Sequence, residues 1–180
     1  MIRPVGGCVL LLAAGGCGAA ARVPVAPPQT QKLDWHENCG THADRIPITT
    51  HRLVVRRGRW RVDLSFRNQT RVGLNIIRPH FPGGTYFGLE PFKTSSLREV
   101  RQRTEAGSIK PRTLADRFSP QKPALLPSGR GWSGSFSGPG DLPAEVPIRV
   151  VLGRFVPLGP VPPGFVRGFL CISERAVRLR

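Results

Sequence analysis

Two residue types are scarce in this chain of 180 residues: methionine, present only as Met1, and acidic residues, of which there are 11. Because Met1 is the only methionine, a copper site with a thioether ligand is excluded. The acidic residues form no prominent pair, so the two-carboxylate chemistry of glycosidases is not expected. Lysine and arginine together number 27, and the formal net charge of +16 favours anionic partners or a solvated basic surface.

Catalytic and nucleotide-binding motifs are also missing. The segment from Gly134 to Gly138 reads Gly-Ser-Phe-Ser-Gly, which is not the Gly-x-Ser-x-Gly order of a hydrolase nucleophile, and it lies inside a predicted strand. Gly83-Gly84 is followed by Thr85-Tyr86, where a phosphate-binding loop would have Lys-Ser. Beyond the N-terminal segment, no apolar run approaches the ~20 residues of a transmembrane helix. We therefore expect neither an enzyme nor a cofactor.

The basic residues are mostly arginine and are spread along the chain. Only four of the 27 are lysines, namely Lys32, Lys93, Lys110 and Lys122. Glycine and proline are also abundant, with 21 and 19 residues, and all three abundant residue types have GC-rich codons. A generally basic, solvated surface is therefore the simpler interpretation of the charge, ahead of one concentrated binding patch.

The first 17 residues have the layout of a bacterial export signal. Arg3 precedes an apolar run from Val5 to Ala14, and two glycines lead into Cys17. The segment resembles a bacterial lipoprotein signal, in which the cysteine after two small residues is lipidated, so we favour a lipid anchor at Cys17. Cleavage after Ala21 is the alternative. Either cleavage predicts a location in the cell envelope outside the cytoplasm, anchored to the membrane or secreted.

The remainder is expected to be a tether followed by one domain. Residues 18–33 contain three prolines and no aromatic residue, which is typical of an extended linker. Residues 34–180 are then expected to fold as a single domain. Cys8 lies within the signal, so Cys39 and Cys171 are the pair left in an oxidising compartment. We predict a disulfide between them, with two separate buried thiols as the alternative.

Hydrophobic periodicity predicts strands. Apolar and polar residues alternate strictly from Arg59 to Arg67, and again from Trp132 to Ser137. The segment from Ile148 to Phe155 is rich in β-branched residues, which favours a buried strand. Further candidates are shorter or less regular: Leu53 to Arg56, Val72 to Ile77, and Phe165 to Ser173. Strands separated by Gly/Pro turns predict an all-β fold, with the proline-rich stretch from Pro157 to Gly164 as a loop.

Residues 93–122 are expected to be a polar, basic insertion. Ser96-Leu97-Arg98-Glu99 fits a helix capping box, so the insertion can include a short helix. Long loops of this kind are either functional or disordered, and we favour disorder. If the insertion binds an acidic partner, the candidate residues are Arg98, Arg101, Arg103, Lys110 and Arg112.

Two segments carry a resemblance to a known fold family. The pattern Trp-x-Val-x-Leu-x-Phe-x-Asn from Trp60 to Asn68 resembles the second strand of secreted bacterial immunoglobulin-like domains. Trp132 to Phe136, followed by Ile148 to Val151, resembles their closing hairpin. The resemblance implies an antiparallel immunoglobulin-like sandwich and carries no functional residues. Asn68-Gln69-Thr70 matches a glycosylation sequon, which we interpret as a turn.

His36, Cys39 and His42 offer the one candidate metal site. Imidazole and thiolate are ligands that zinc and copper accept, but a disulfide at Cys39 would remove its thiolate. No second ligand cluster completes the site, so a polar loop with solvated histidines is the favoured interpretation.

These observations predict a non-enzymatic, lipid-anchored binding or structural module of the bacterial envelope. The expected partners are the membrane, through the lipid, and an envelope protein or anionic envelope polymer; nucleic acid is not expected for an exported protein. One alternative is a protease-inhibitor-like domain that uses a loop from Phe81 to Phe87 or from Val156 to Val166. A second alternative is a metal carrier that uses His36 and His42.

Overall fold

A computed structural model describes residues 24–41, 43–76, 87–92, 98, 113–163, 165 and 169–180. The described part is built from strands. In chain order they are β1 (Gln29–Gly40), β2 (Arg45–Arg56), β3 (Arg59–Arg67), β4 (Leu74–Asn75), β5 (Phe87–Pro91), β6 (Thr113–Leu114), β7 (Arg117–Ser119), β8 (Leu125–Leu126), β9 (Gly131–Pro139), β10 (Pro147–Pro157), β11 (Phe169–Ile172) and β12 (Val177–Arg178). The strands form two antiparallel sheets.

The first sheet contains the long strands of the chain in the order β1-β2-β3-β9-β7. β2 and β3 are joined by a tight turn, in which Gly58 adopts a positive φ of 65°. β3 pairs with β9 without a register shift, from Arg59 opposite Pro139 to Arg67 opposite Gly131. This regular pairing follows from the strict alternation of both segments, because a slip of one residue would turn every buried side chain outward.

The second sheet is organised around β10. Its order is β6-β5-β10-β4-β8, and β11 and β12 also pair with β10. The register between β10 and β11 shifts between Val151 and Arg154, around Gly153. Gly153 has a φ of 95°, and a Cβ atom there would lie 2.4 Å from the ring of Phe87. Only glycine fits this close approach between β10 and β5.

The two sheets enclose one continuous apolar core. Trp60, Val62, Leu64 and Phe66 of β3 all point inward and are at least 96% buried. Contact between the sheets is direct, since the ring centroids of Phe66 and Phe155 lie 5.5 Å apart. Each large apolar side chain buried in this way contributes about 1.5–3 kcal/mol. The predicted all-β, antiparallel sandwich is therefore confirmed.

The predicted disulfide is present. Cys39 of β1 and Cys171 of β11 are joined, with their Cα atoms 5.6 Å apart and a sequence separation of 132. Because β1 belongs to the first sheet and β11 pairs with β10, the bond links the two sheets covalently.

The C-terminal end predicted for the tether, residue 33, is wrong. Residues 29–33 belong to β1, and Val25 forms an isolated bridge with Pro143. Ala26 is buried, and its N–H donates to the Leu142 carbonyl at 2.8 Å. Prolines are tolerated here because they precede an edge strand. The polar loop expected around His36 is likewise part of β1, which continues to Gly40.

The boundary predicted for the insertion also needs correction. Residues 113–122 are not an excursion, because β6 joins the second sheet and β7 joins the first. Phe118 packs into the core, with its ring centroid 5.2 Å from that of Phe87. The remaining part, residues 93–112, lies outside the described residues except for Arg98, whose backbone is helical and whose side chain is exposed. The predicted short helix and the expected disorder are thus not covered by the described part.

Candidate functional site

Most of the sequence-predicted site residues lie outside the part of the chain that the structure describes. This holds for Cys17 and for four members of the basic set, namely Arg101, Arg103, Lys110 and Arg112. Arg98 is exposed. The predicted binding role of this basic set therefore stays a prediction.

The candidate metal site is only partly described. His36 is exposed on β1, with its Nδ1 3.2 Å from the Thr49 hydroxyl, and Cys39 is held in the disulfide. His42 lies outside the described residues. Among the residues that are described, no group of three or more His, Cys, Asp or Glu side chains could hold a metal ion.

The sequon residues form a buried turn between β3 and β4. Asn68 is fully buried, and its Nδ2 donates to the carbonyls of Val72 and Leu126, both at 2.9 Å. Its Oδ1 accepts from the backbone N–H and the hydroxyl of Thr70, at 2.9 and 2.7 Å. Both amide protons of Asn68 are used, so a glycan cannot be carried there in the folded protein. The interpretation of this motif as a turn is confirmed.

A basic face lies on the outer side of the first sheet. The alternation of β3 turns Arg59 and Arg61 outward, and register sets their neighbours: Arg56 is opposite Arg59, and Val54 is opposite Arg61. On the other side of β3, Ser137 of β9 is opposite Arg61, and Arg117 of β7 is opposite Ser137. We call the outward side chains of Arg52, Arg56, Arg59, Arg61, Arg117 and Ser137 the arginine face.

Two aspartates neutralise part of this charge. The carboxylate of Asp63 contacts Arg52 and lies 3.0 Å from the Nε of Arg61. Asp116 accepts two hydrogen bonds from the Nη2 of Arg59, at 2.7 and 3.0 Å. Five arginines thus face two carboxylates. Within the described ranges, Arg56 and Arg117 have no ion-pair partner.

The placement of Arg56 opposite Arg59 is unfavourable by itself. Like charges directly opposite each other across an antiparallel pair are destabilising, on a scale of about 0.2–1 kcal/mol. A cavity of about 160 Å³ opens beside this pair and is lined by Val54, Arg56, Arg59, Trp60, Arg61 and Ser137. A water molecule occupies about 30 Å³ of liquid, so a small oxyanion has room there. Guanidinium groups suit such a ligand, because they present several N–H donors in a fixed fork.

Sequence reasoning gave no role to Lys122, which is buried in the core. Its Nζ lies 5.2 Å from the ring centroid of Phe118 and 5.9 Å from that of Phe87. No hydrogen-bond partner of the Nζ occurs in the described part of the protein. Burial lowers the pKa of Lys122 to about 8. The sequence around Lys122 is polar and has no hydrophobic periodicity, so it did not indicate that this lysine is buried.

The proline-rich loop after β10 presents apolar side chains to solvent. Leu158 and Val161 are 39% and 36% exposed. The loop is held at its base, where the N–H of Leu158 donates to the Gly73 carbonyl at 2.9 Å. Residues 158–163 form a loop as predicted, but Val156 and Pro157, which the prediction placed in loops, are the last residues of β10. Of the other predicted inhibitory loop, from Phe81 to Phe87, residues 81–86 lie outside the described ranges, and Phe87 does not belong to a loop because it is buried at the start of β5.

The described residues include no helix that is both long and apolar enough to span a membrane. Comparison of the chain with protein-family models, curated proteins and solved structures found no match. The resemblance to secreted immunoglobulin-like domains therefore stays a prediction.

Proposed function

We propose that this protein is a non-enzymatic binding module of the bacterial envelope, which contacts an anionic envelope polymer through its arginine face. The observation that carries the proposal is the excess of arginines over carboxylates on one face of a sheet. Four adjacent strands contribute to that face, and its backbone is fixed by the antiparallel ladders. Such a surface attracts polyanions over long range without needing a deep pocket.

Location outside the cytoplasm is the second part of the proposal. The Cys39–Cys171 disulfide supports it, because such bonds persist in oxidising compartments and are rare in the cytosol. The N-terminal sequence supports it independently, through the export layout that ends at Cys17. On this proposal a lipid at Cys17 holds the domain at the membrane surface, where envelope polymers are its neighbours. An exported protein has little access to nucleic acid, so a polymer of the envelope is the favoured polyanion.

The test uses polyphosphate as a defined polyanion and neutral dextran as its uncharged counterpart. The oxidised full chain, held in non-ionic detergent, should bind polyphosphate and not dextran, and binding should weaken as salt is raised. The double variant Arg56→Gln/Arg117→Gln should bind polyphosphate about tenfold more weakly. Arg130→Gln/Arg175→Gln is the matched control, since it removes the same charge from exposed residues away from the arginine face. Equal loss in both variants, or no binding at all, would contradict the proposal.

A second candidate function is favoured by the proline-rich loop. Exposed Leu158 and Val161 on a loop with several fixed φ angles could enter the active-site cleft of a protease. A panel of serine and cysteine proteases tests this directly. Inhibition that is lost in Leu158→Asp and retained in the arginine-face variant would establish the inhibitor and displace the polymer-binding function. A module that only binds polymers should leave every protease active.

A further inference from the structure

We propose that the cavity between Arg56, Arg59, Arg61 and Ser137 is a discrete binding site for one phosphate group. The phosphate can be free or carried by a larger molecule, because the site would recognise the group itself. For its biological ligand, a phosphate borne by an envelope polymer, the inference rests on the proposed function. The inference goes further than the proposed function, because it assigns recognition of the anionic group to one cavity and not to the whole arginine face.

The first argument is the orientation of the arginines. The guanidinium of Arg59 donates a hydrogen bond to the carboxylate of Asp116 at 2.7 Å. Asp116 is itself held in place, because its backbone N–H donates to the Ser137 carbonyl at 2.9 Å. Arg61 is fixed in the same manner by Asp63, at 3.0 Å. Asp116 binds the Nη2 of Arg59 and Asp63 binds the Nε of Arg61, so each guanidinium keeps other N–H donors available. A ligand would therefore meet donors that are already oriented, which lowers the entropy lost on binding.

The second argument is the charge that stays uncompensated. Arg56 lies opposite Arg59, is exposed, and has no carboxylate partner in the described part of the chain. The two guanidinium groups repel each other across the strand pair, and an anion between them would remove this repulsion. Binding energy thus comes from relief of repulsion as well as from new hydrogen bonds.

The third argument selects phosphate among anions. The donor set combines three guanidinium groups with the hydroxyl of Ser137, which has no hydrogen-bond partner of its own in the described ranges. A carboxylate offers two oxygens in one plane, whereas a terminal phosphate offers three oxygens in a tetrahedral arrangement and a higher charge. Donors from three strands, β2, β3 and β9, line the cavity, and they are numerous enough to serve all three oxygens of the tetrahedral group. Val54 closes one side of the cavity with an apolar wall.

Calorimetric titration of the oxidised full chain with inorganic phosphate tests the site. We expect one ion bound per chain, with a dissociation constant on the order of 1 mM or tighter. Arg56→Gln should weaken phosphate binding about tenfold, whereas Arg130→Gln should change it less than twofold. Arg56→Lys keeps the positive charge but loses the forked guanidinium donors. Its affinity for phosphate should therefore lie between that of the wild type and that of Arg56→Gln. Acetate should bind more weakly than phosphate to the wild type.

The outcomes separate this inference from the proposed function. If Arg56→Gln and Arg130→Gln weaken phosphate binding equally, or acetate binds as well as phosphate, the discrete site is refuted. Polyphosphate binding could then still hold, and the proposed function would survive. If phosphate binds with the expected dependence on Arg56 but polyphosphate binds no better per phosphate group, the site stands and the polymer-binding function fails. Arg56 is exposed, and unchanged thermal unfolding of each variant would establish that its fold is intact.

Discussion

The amine of Lys122 lies against aromatic rings, and no hydrogen-bond acceptor reaches it within the described residues. Cation–π attraction to Phe118 and Phe87 amounts to about 0.5–2 kcal/mol. Burial of an ammonium group costs several kcal/mol even after relaxation. Desolvation therefore outweighs the attraction, which is why the pKa of Lys122 falls to about 8. The group remains mostly protonated at pH 7, so the native state carries this cost under ordinary conditions.

Replacing Lys122 by methionine should therefore stabilise the protein. The side chain keeps its length and its contacts with the rings, while the buried charge is removed. We expect Lys122→Met to raise the free energy of unfolding at pH 7 by about 1–3 kcal/mol, measured by urea denaturation. Lys32→Met serves as the control, because Lys32 is exposed and should change stability by less than about 0.5 kcal/mol. A loss of stability in Lys122→Met would mean that the ring contacts require the charge.

The same residue predicts a pH dependence. Lys122 has a pKa of about 8 in the folded protein and an ordinary value of 10.5 in the unfolded chain. Between these values the unfolded chain binds more protons, so the free energy of unfolding should rise with pH from about 8 to 10.5. The difference between wild type and Lys122→Met should shrink over this window and stay constant below it. A difference that does not vary with pH would contradict the assigned pKa.

At the scale of the element, the connection between β3 and β4 depends on one side chain. Asn68 makes four hydrogen bonds while fully buried, and two of them reach the carbonyls of Val72 and Leu126. The Leu126 carbonyl belongs to β8, so the turn also positions the edge of the second sheet. No other residue type offers two donors and an acceptor in this shape.

Asn68→Asp should destabilise the protein more than its small change in shape suggests. Two carbonyls would lose their donor and a carboxylate would be buried beside them, at a combined cost of about 2–4 kcal/mol. Urea denaturation at pH 7 measures this loss. Gln69→Ala in the same turn removes only a surface hydrogen bond from Arg45, so it should cost about 0.5 kcal/mol. Equal losses in the two variants would show that the turn does not depend on the Asn68 network.

Sequence predicts the long strands that have either uninterrupted periodicity or a run rich in β-branched residues. β3 and β9 alternate without a break, and both were predicted close to their observed bounds. β1 was missed because three of its inward positions hold the polar residues Gln29, Gln31 and Glu37. Inward and outward positions still alternate through the register shift after Lys32, where Asp34 takes a positive φ of 46°. β6 and β7 contain only two and three residues, too few to show any periodicity.

Only part of the arginine face could be predicted from the sequence. Alternation places Arg59 and Arg61 on the solvent side of β3, but it gives no information about what lies beside them. Arg56 and Ser137 become their neighbours through the register of two different strand pairs. Register over such distances depends on the global packing of the core. A set of arginines dispersed in sequence therefore looked like general solvation of the surface.

At the scale of the whole molecule, two kinds of link hold the sheets together: the apolar core and a polar connection near the disulfide. Cys39 and Cys171 supply the covalent link. Two residues before Cys39, the Glu37 side chain accepts a hydrogen bond from the Arg175 backbone N–H at 3.0 Å. Burial raises the pKa of Glu37. The edge strand β1 is thus bonded both to β11 and to the segment that follows it. We expect the two sheets to separate first at this edge when these bonds are lost.

Loss of the disulfide should therefore loosen one edge of the sandwich before the rest. In the entropic account a closed loop of this length stabilises the fold by about 4–5 kcal/mol, and measured losses for native disulfides are about 2–5 kcal/mol. We expect Cys39→Ala/Cys171→Ala to lose stability in that range by urea denaturation. Hydrogen exchange should accelerate in β1 and β11, while amides of β3 and β9 retain the slowest exchange because both their neighbours are paired. Cys8→Ala, made in the same unprocessed chain, is the control and should match wild type under oxidising conditions. If exchange instead accelerated uniformly over both sheets, the bond would act on the unfolded chain alone, and the edge of β1 would be held by the core without it.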